Sequence, residues 1–99
     1  MKVYLKKNPD SKHKWVAIFD NGRKVKFGAR GYSDYTIHKT KERMHRYLVR
    51  HRKTETWGPS GKYTAGFWSR WLLWSEPSFK TAIRRTEKAL GGNYKIFVK

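Results

Sequence analysis

The segment TAGFWSRWLLW, residues 64–74, carries three of the chain's five tryptophans together with Phe67, Leu72 and Leu73, and a single charge, Arg70. Set on a helix, Phe67, Trp71 and Trp74 fall at i, i+4 and i+7, and Trp68 and Leu72 at i and i+4. The resulting apolar surface wraps most of a short helix, so it belongs in the middle of a core or of an interface. Thr64 stands where a cap is needed, and the helix must stop before Pro77.

Downstream, Ser75-Glu76-Pro77-Ser78 reads as the start of a second helix with Pro77 in its first turn. Phe79, Ala82, Ile83, Thr86 and Leu90 form its inner stripe, and Gly91-Gly92 ends it. Residues 94–99 alternate, with Tyr94, Ile96 and Val98 against Lys95, Phe97 and Lys99. They are expected either to rejoin a sheet or to act as an arm that pairs with a neighbouring molecule. Upstream, residues 54–61 form a linker containing Trp57. A helix is expected from Thr40, with Glu42 in its first turn, where the macrodipole favours an acid. Met44, Tyr47, Leu48 and His51 share one face of it, and cations fill the others. Residues 28–35, GARGYSDY, read as a loop.

The first 27 residues are strand-like. Val3 and Leu5 alternate with Lys2, Tyr4 and Lys6. Asn8-Pro9-Asp10-Ser11 is a turn by composition. Asn21-Gly22 joins residues 14–20 to residues 23–27 as a hairpin, and a two-residue loop sets Ile18 opposite Val25 and Val16 opposite Phe27. That register gives one apolar face of Val16, Ile18, Val25 and Phe27. It leaves Trp15, Ala17 and Phe19 on the other face with Lys24 and Lys26, read either as lysine stems covering rings or as a stacking platform. The expected fold is α+β in a single domain, residues 1–99. It is β-rich over 1–27 and helical over 39–91, with a last strand over 94–99. Three or four strands in an antiparallel hairpin or meander sheet pack against three helices.

Charge restricts the partners. There are 24 Lys and Arg against 7 Asp and Glu, a net charge of +17. Residues 1–35, 36–57 and 58–99 carry +6, +5 and +6, so no basic tail is present. A fold this basic repels itself and calls for nucleic acid or another polyanion beside it, beyond what a surface tuned for solubility needs. The expected polyanion-binding residues are Lys24, Lys26, Arg30, Lys41, Arg43, Arg46, Arg50, Arg52, Lys53, Arg84 and Arg85. The expected protein-docking residues are Trp15, Trp57, Phe67, Trp68, Trp71 and Trp74.

With no cysteine, disulfides and thiolate metal sites are excluded. The first residues lack the apolar run of a signal peptide, and the longest apolar stretch is too short for a membrane span. His38, His45 and His51 are spaced by seven and six rather than by three or four, which argues against a helical metal site. Asp34, His38 and Glu42 could be assembled into a metal-dependent nuclease cluster, but such sites need several convergent carboxylates and here the acids are dispersed. No Gly-rich phosphate loop or nucleophile elbow is present. The reading is non-enzymatic, with no metal, cofactor or small-molecule substrate.

FGARGYSDYTIHK (27–39), RYLVRHRK (46–53), TAGFWSRWLLW (64–74) and RRTEKALG (84–91), in that order, resemble a family of small basic proteins encoded by large double-stranded DNA viruses of algae and protists. The resemblance covers about residues 25–91. It implies a viral protein found in the virion, and in host cytoplasm or nucleus during assembly, without implying an activity. Two functions follow. The first is a virion structural protein of minor-capsid or cement type, docking through the tryptophan helix or terminal strands on acidic or larger capsid proteins, with membrane headgroups a further possible contact. The second is a sequence-nonspecific nucleic-acid-binding protein that neutralises or compacts viral DNA. Five tryptophans exceed what charge neutralisation requires, which favours the first.

Overall fold

Alternation in the first 29 residues resolves into three strands, Lys2–Lys7 (β1), His13–Phe19 (β2) and Lys24–Ala29 (β3). The computed structural model describes residues 1–10 and 12–99; Ser11, the last residue of the expected first turn, lies outside them. Single-turn helix α1, Tyr35–His38, follows, then α2, Lys41–His51. A 3₁₀ turn at Pro59–Gly61 leads into α3, Ala65–Trp68, which runs directly into a π-helical turn, Ser69–Leu73. Helix α4, Phe79–Ala89, and strand β4, Lys95–Val98, complete the chain.

The sheet order is β3-β2-β1-β4. The first three strands pair antiparallel, and β4 joins the edge of β1 in parallel, Tyr4 beside Phe97. The fold is α+β with a mostly antiparallel sheet. The last strand therefore pairs within its own sheet, and its parallel sense follows from the helical crossover that precedes it. Among the described residues there are four α-helices instead of the expected three, because α1 forms where a loop gives way to a capped turn. Asp34 starts α1 by accepting the Thr36 amide at 3.0 Å.

The hairpin register differs from the expected one by one residue. Trp15 faces Phe27, Ala17 faces Val25 and Ile18 faces Lys24. Its loop has three residues. The Gly22 amide donates to the Phe19 carbonyl at 2.9 Å, and Gly22 sits at φ 91°, the arrangement of a turn followed by a glycine bulge. A one-residue slip exchanges the faces. Val3, Leu5, Ala17, Phe19, Val25, Phe27 and Ile96 point into the core, while Val16 and Ile18 lie on the outer face with Tyr4, Lys24 and Lys26.

The π turn re-aims the tryptophan segment. Each residue after Trp68 lags its α-helical position, so Leu72 and Leu73 turn inward while Trp71 and Trp74 turn sideways. Phe67, Trp68 and Leu72 are fully buried. Trp68 lies 5.7 Å from Phe27 and 5.9 Å from Phe19, ring centre to ring centre, and its indole N–H donates to the Lys62 carbonyl at 2.8 Å. Thr64 caps α3 as expected, its hydroxyl accepting the Phe67 amide. Helix α4 buries Ala82, Thr86 and Leu90 from its inner stripe. Its cap is Ser78, which leaves Pro77 before the helix rather than in its first turn.

Candidate nucleic-acid interface

Helix α2 is attached mainly by rings. Tyr47 stacks flat on Trp74, centroids 4.3 Å apart and planes within 1°, and His51 stacks on the other side of Tyr47 at 4.3 Å. Burial and nearby Glu55 push the Tyr47 phenol up, so it stays protonated. Glu55 accepts from the Trp57 indole and faces His51 Nδ1 at 3.2 Å. His38 packs against Trp74, and its Nδ1 accepts the Thr40 amide at 2.9 Å. This anchoring turns Lys41, Arg43, Arg46 and Arg50 outward, with Arg52 and Lys53 just beyond the helix, all exposed.

A cleft of about 610 Å³ lies between α2, the end of β3 and the start of α3. Lys12, His13 and Lys14 line one wall, Arg43, Arg50 and His51 the other, and Phe27, Leu73 and Trp74 lie deeper. Its two acids are engaged: Asp34 is held by Lys14 at 2.9 Å and by Thr36, and Glu55 by His51 and Trp57. The cleft therefore presents cations with little opposing charge. At its margin, backbone amides of His13 and Lys12 and the Asn8 side chain hold the Asp10 carboxyl well below the usual carboxylate range.

The remaining expected polyanion contacts are distributed over other surfaces. Lys24 and Lys26 occupy the outer sheet face, Lys26 3.3 Å from Asp10. Arg30 donates to the Asn8 carbonyl. Arg84 and Arg85 are exposed on α4, and Arg85 is tied to Glu76 at 3.2 Å. Arg43, Arg46 and Arg50 share one side of α2, and the cations of the sheet and of α4 lie on separate elements.

The expected docking set divides into two buried residues and four partly exposed ones. Phe67 and Trp68 are completely buried and unavailable to a partner. Trp15 is half-buried and stacks on Phe79 at 5.2 Å. Trp57, Trp71 and Trp74 are half-buried in an internal layer: the Trp71 indole donates to the Trp57 carbonyl, and Arg70 lies over both the Trp57 and Trp71 rings. Desolvation, reinforced by Arg85, presses the pKa of Arg70 down. Trp15, Trp57, Trp71 and Trp74 each keep part of their surface in solvent.

Residues 3–51 are similar to a family of unknown function (DUF5754). The match runs from β1 through α2 and stops before the tryptophan segment. No curated protein and no solved structure matches the chain.

His38, His45 and His51 do not converge, and among the described residues no three metal-ligating side chains of His, Asp or Glu come together. Asp34 is a buried cap and ion-pair partner, whereas Glu42 is exposed on α2. No described helix is long and apolar enough to cross a membrane. Sequence reasoning assigned no role to Tyr4, Ile18 and Phe97, which come together on the outer sheet face. The signal for them lies in the two terminal strands, which share the order Lys-apolar-aromatic-apolar-Lys, at residues 2–6 and 95–99.

Proposed function

We propose that this chain is a non-enzymatic, sequence-nonspecific nucleic-acid-binding protein. One observation carries the reading. Of the 24 Lys and Arg side chains, three (Lys14, Lys26 and Arg85) pair with a carboxylate, and the other 21 have no such partner among the described residues. Most of the seven acids are occupied: Asp20 accepts the Lys2 amide and Glu87 the Ile96 amide, while Asp10, Asp34, Glu55 and Glu76 hold side chains. Folding thus leaves the self-repulsion in place, and a phosphate backbone relieves it by releasing counterions. Helix α2 offers the phosphates long exposed cations, a contact that carries no sequence information by itself.

The particle-component reading drew its support from tryptophans left for a partner. With Phe67 and Trp68 fully buried, that support is reduced to the partly exposed rings, and the charged surface carries more of the reading. A virion setting is compatible with packaging or compacting DNA. The test is duplex DNA binding measured by fluorescence anisotropy across a salt series. The expected log–log slope is about −4.5 or steeper, corresponding to about five or more phosphate contacts. Absence of binding at low salt would overturn the proposal.

A further inference from the structure

The outer face of the sheet is ordered in a way that net charge alone does not require. In the parallel register of β1 and β4, Lys2 lies beside Lys95 and Tyr4 beside Phe97. Val3 and Ile96 turn into the core, and Tyr4 and Phe97 turn away from it, stacked with ring centres 5.8 Å apart and planes at 30°. On the next strands Ile18 faces Tyr4, and Lys24 faces Ile18. One row therefore crosses all four strands: Phe97, Tyr4, Ile18, Lys24.

Lysines bracket this row. Lys2 and Lys95 lie on one side of it. On the other, Lys6 and Lys26 flank Val16, whose burial in the middle of an uncovered face fits cover by their stems. A shallow concavity of about 430 Å³ opens between Tyr4, Lys6, Ile18 and Lys99, with Lys99 Nζ 4.8 Å from the Tyr4 ring centre. Phe97 is 40% exposed. Among the described residues, Asp10 on Lys26 is the one carboxylate paired with these lysines.

We infer that this face binds single-stranded nucleic acid, bases stacking on Phe97 and Tyr4 while the flanking lysines meet phosphates. The inference rests on the nucleic-acid reading above and adds which form of the polymer this face takes. Aromatic rings between rows of cations suit a polymer that alternates flat apolar bases with charges. A duplex keeps its base faces stacked against each other, so the rings gain from a strand whose bases are free. An acidic protein surface would match the lysines and leave the rings without partners.

The experiment compares a labelled single strand with a duplex of equal phosphate number, by anisotropy, with polyglutamate as a polyanion that lacks bases. Phe97→Ala should lower single-strand affinity about tenfold, with little change for duplex. The salt slope should stay the same, because no phosphate contact is removed. Phe97→Tyr should bind like the parent. Phe97→Leu keeps the apolar bulk of the strand and should show the alanine variant's loss, so the result does not hinge on how well that variant folds. Unchanged single-strand binding in the folded Leu variant, equal losses for both strand forms, or polyglutamate competing as well as a single strand of equal charge would overturn the inference. In the first two cases duplex binding by the parent would still stand, which separates this failure from failure of the general reading.

Discussion

The π turn at Ser69–Leu73 makes a prediction about two tryptophans three residues apart. In a regular α-helix, Trp71 would share a face with Phe67 and carry the core contact. In the structure, Trp68 carries it. Trp68→Ala removes a fully buried indole, its edge contacts with Phe19 and Phe67, its tilted contact with Phe27 and its hydrogen bond to the Lys62 carbonyl. Truncation of such a ring costs about 3–5 kcal/mol, and the orphaned carbonyl places this site toward the upper end. A domain of this size has a total stability of about 5–15 kcal/mol, so the variant should be close to unfolded or melt on the order of 20 °C lower. Trp71 is half-exposed, with Arg70 4.3 Å and Arg85 5.6 Å from its ring centre, so water fills much of the space its ring leaves. Trp71→Ala should cost about 1–2 kcal/mol, from partial burial, lost cation–π contact and the lost hydrogen bond to the Trp57 carbonyl, whose partly exposed surroundings let water replace the indole. Urea unfolding at constant m-value measures both. Equal costs, or a larger cost at Trp71, would refute the π-shifted packing.

Two further outcomes follow from local geometry. Gly61 packs so closely on the Thr56 carbonyl that a Cβ would overlap backbone atoms, so Gly61→Ala should destabilise by about 2–3 kcal/mol, measured by the same unfolding assay, and a cost under about 0.5 kcal/mol would show that the linker moves aside freely. Burial, then the positive Arg43, holds the pKa of His38 below its ordinary 6.5, with Asp34 opposing. The folded chain therefore keeps this ring neutral where the unfolded chain takes up a proton. Its contribution to stability is complete above about pH 6.5 and is lost as the pH falls through that value toward the lowered one. Between pH 7.5 and 5.5, His38→Gln should lose less stability than the parent; equal losses would assign the pH dependence to other groups.

Alternation and capping were legible because they depend on near neighbours. The β1 and β4 patterns, the inner stripe of α4, the Thr64 cap and the outward cations of α2 all came through. What failed depended on distant residues. Asn21-Gly22 signals a turn, but the choice between a two- and a three-residue loop rests on which β2 face meets β1. Val3 pairs with Phe19 and Leu5 with Ala17, and that pairing draws the odd-numbered face inward. The Asn21 side chain also holds the longer loop, accepting the Arg23 amide at 3.0 Å and donating to the Tyr63 hydroxyl at 2.8 Å, a partner 42 residues away. The π turn was equally hidden, since periodicity assumes a constant pitch. Both errors moved residues between core and surface, whereas the α2 cations, whose exposure depends on neither, kept their outward position.

The corrected faces change what the exposed aromatics mean. An edge strand with an exposed phenylalanine invites unwanted pairing, and natural sheets restrain such edges with lysine. Lys95 and Lys99 bracket Phe97 in that manner, but edge protection does not explain Tyr4 or Ile18, which lie on interior strands of the same face. The helices cover only the opposite face, where Trp68 and Leu72 meet Phe19 and Phe27. One sheet surface thus supplies the stability while the other keeps rings and lysines together in solvent. A ligand that binds only the folded chain then stabilises it by mass action. In a protein whose cations largely lack internal partners, neutralisation by that ligand works in the same direction as its binding, so the cost of the charge in the free chain is offset in the complex.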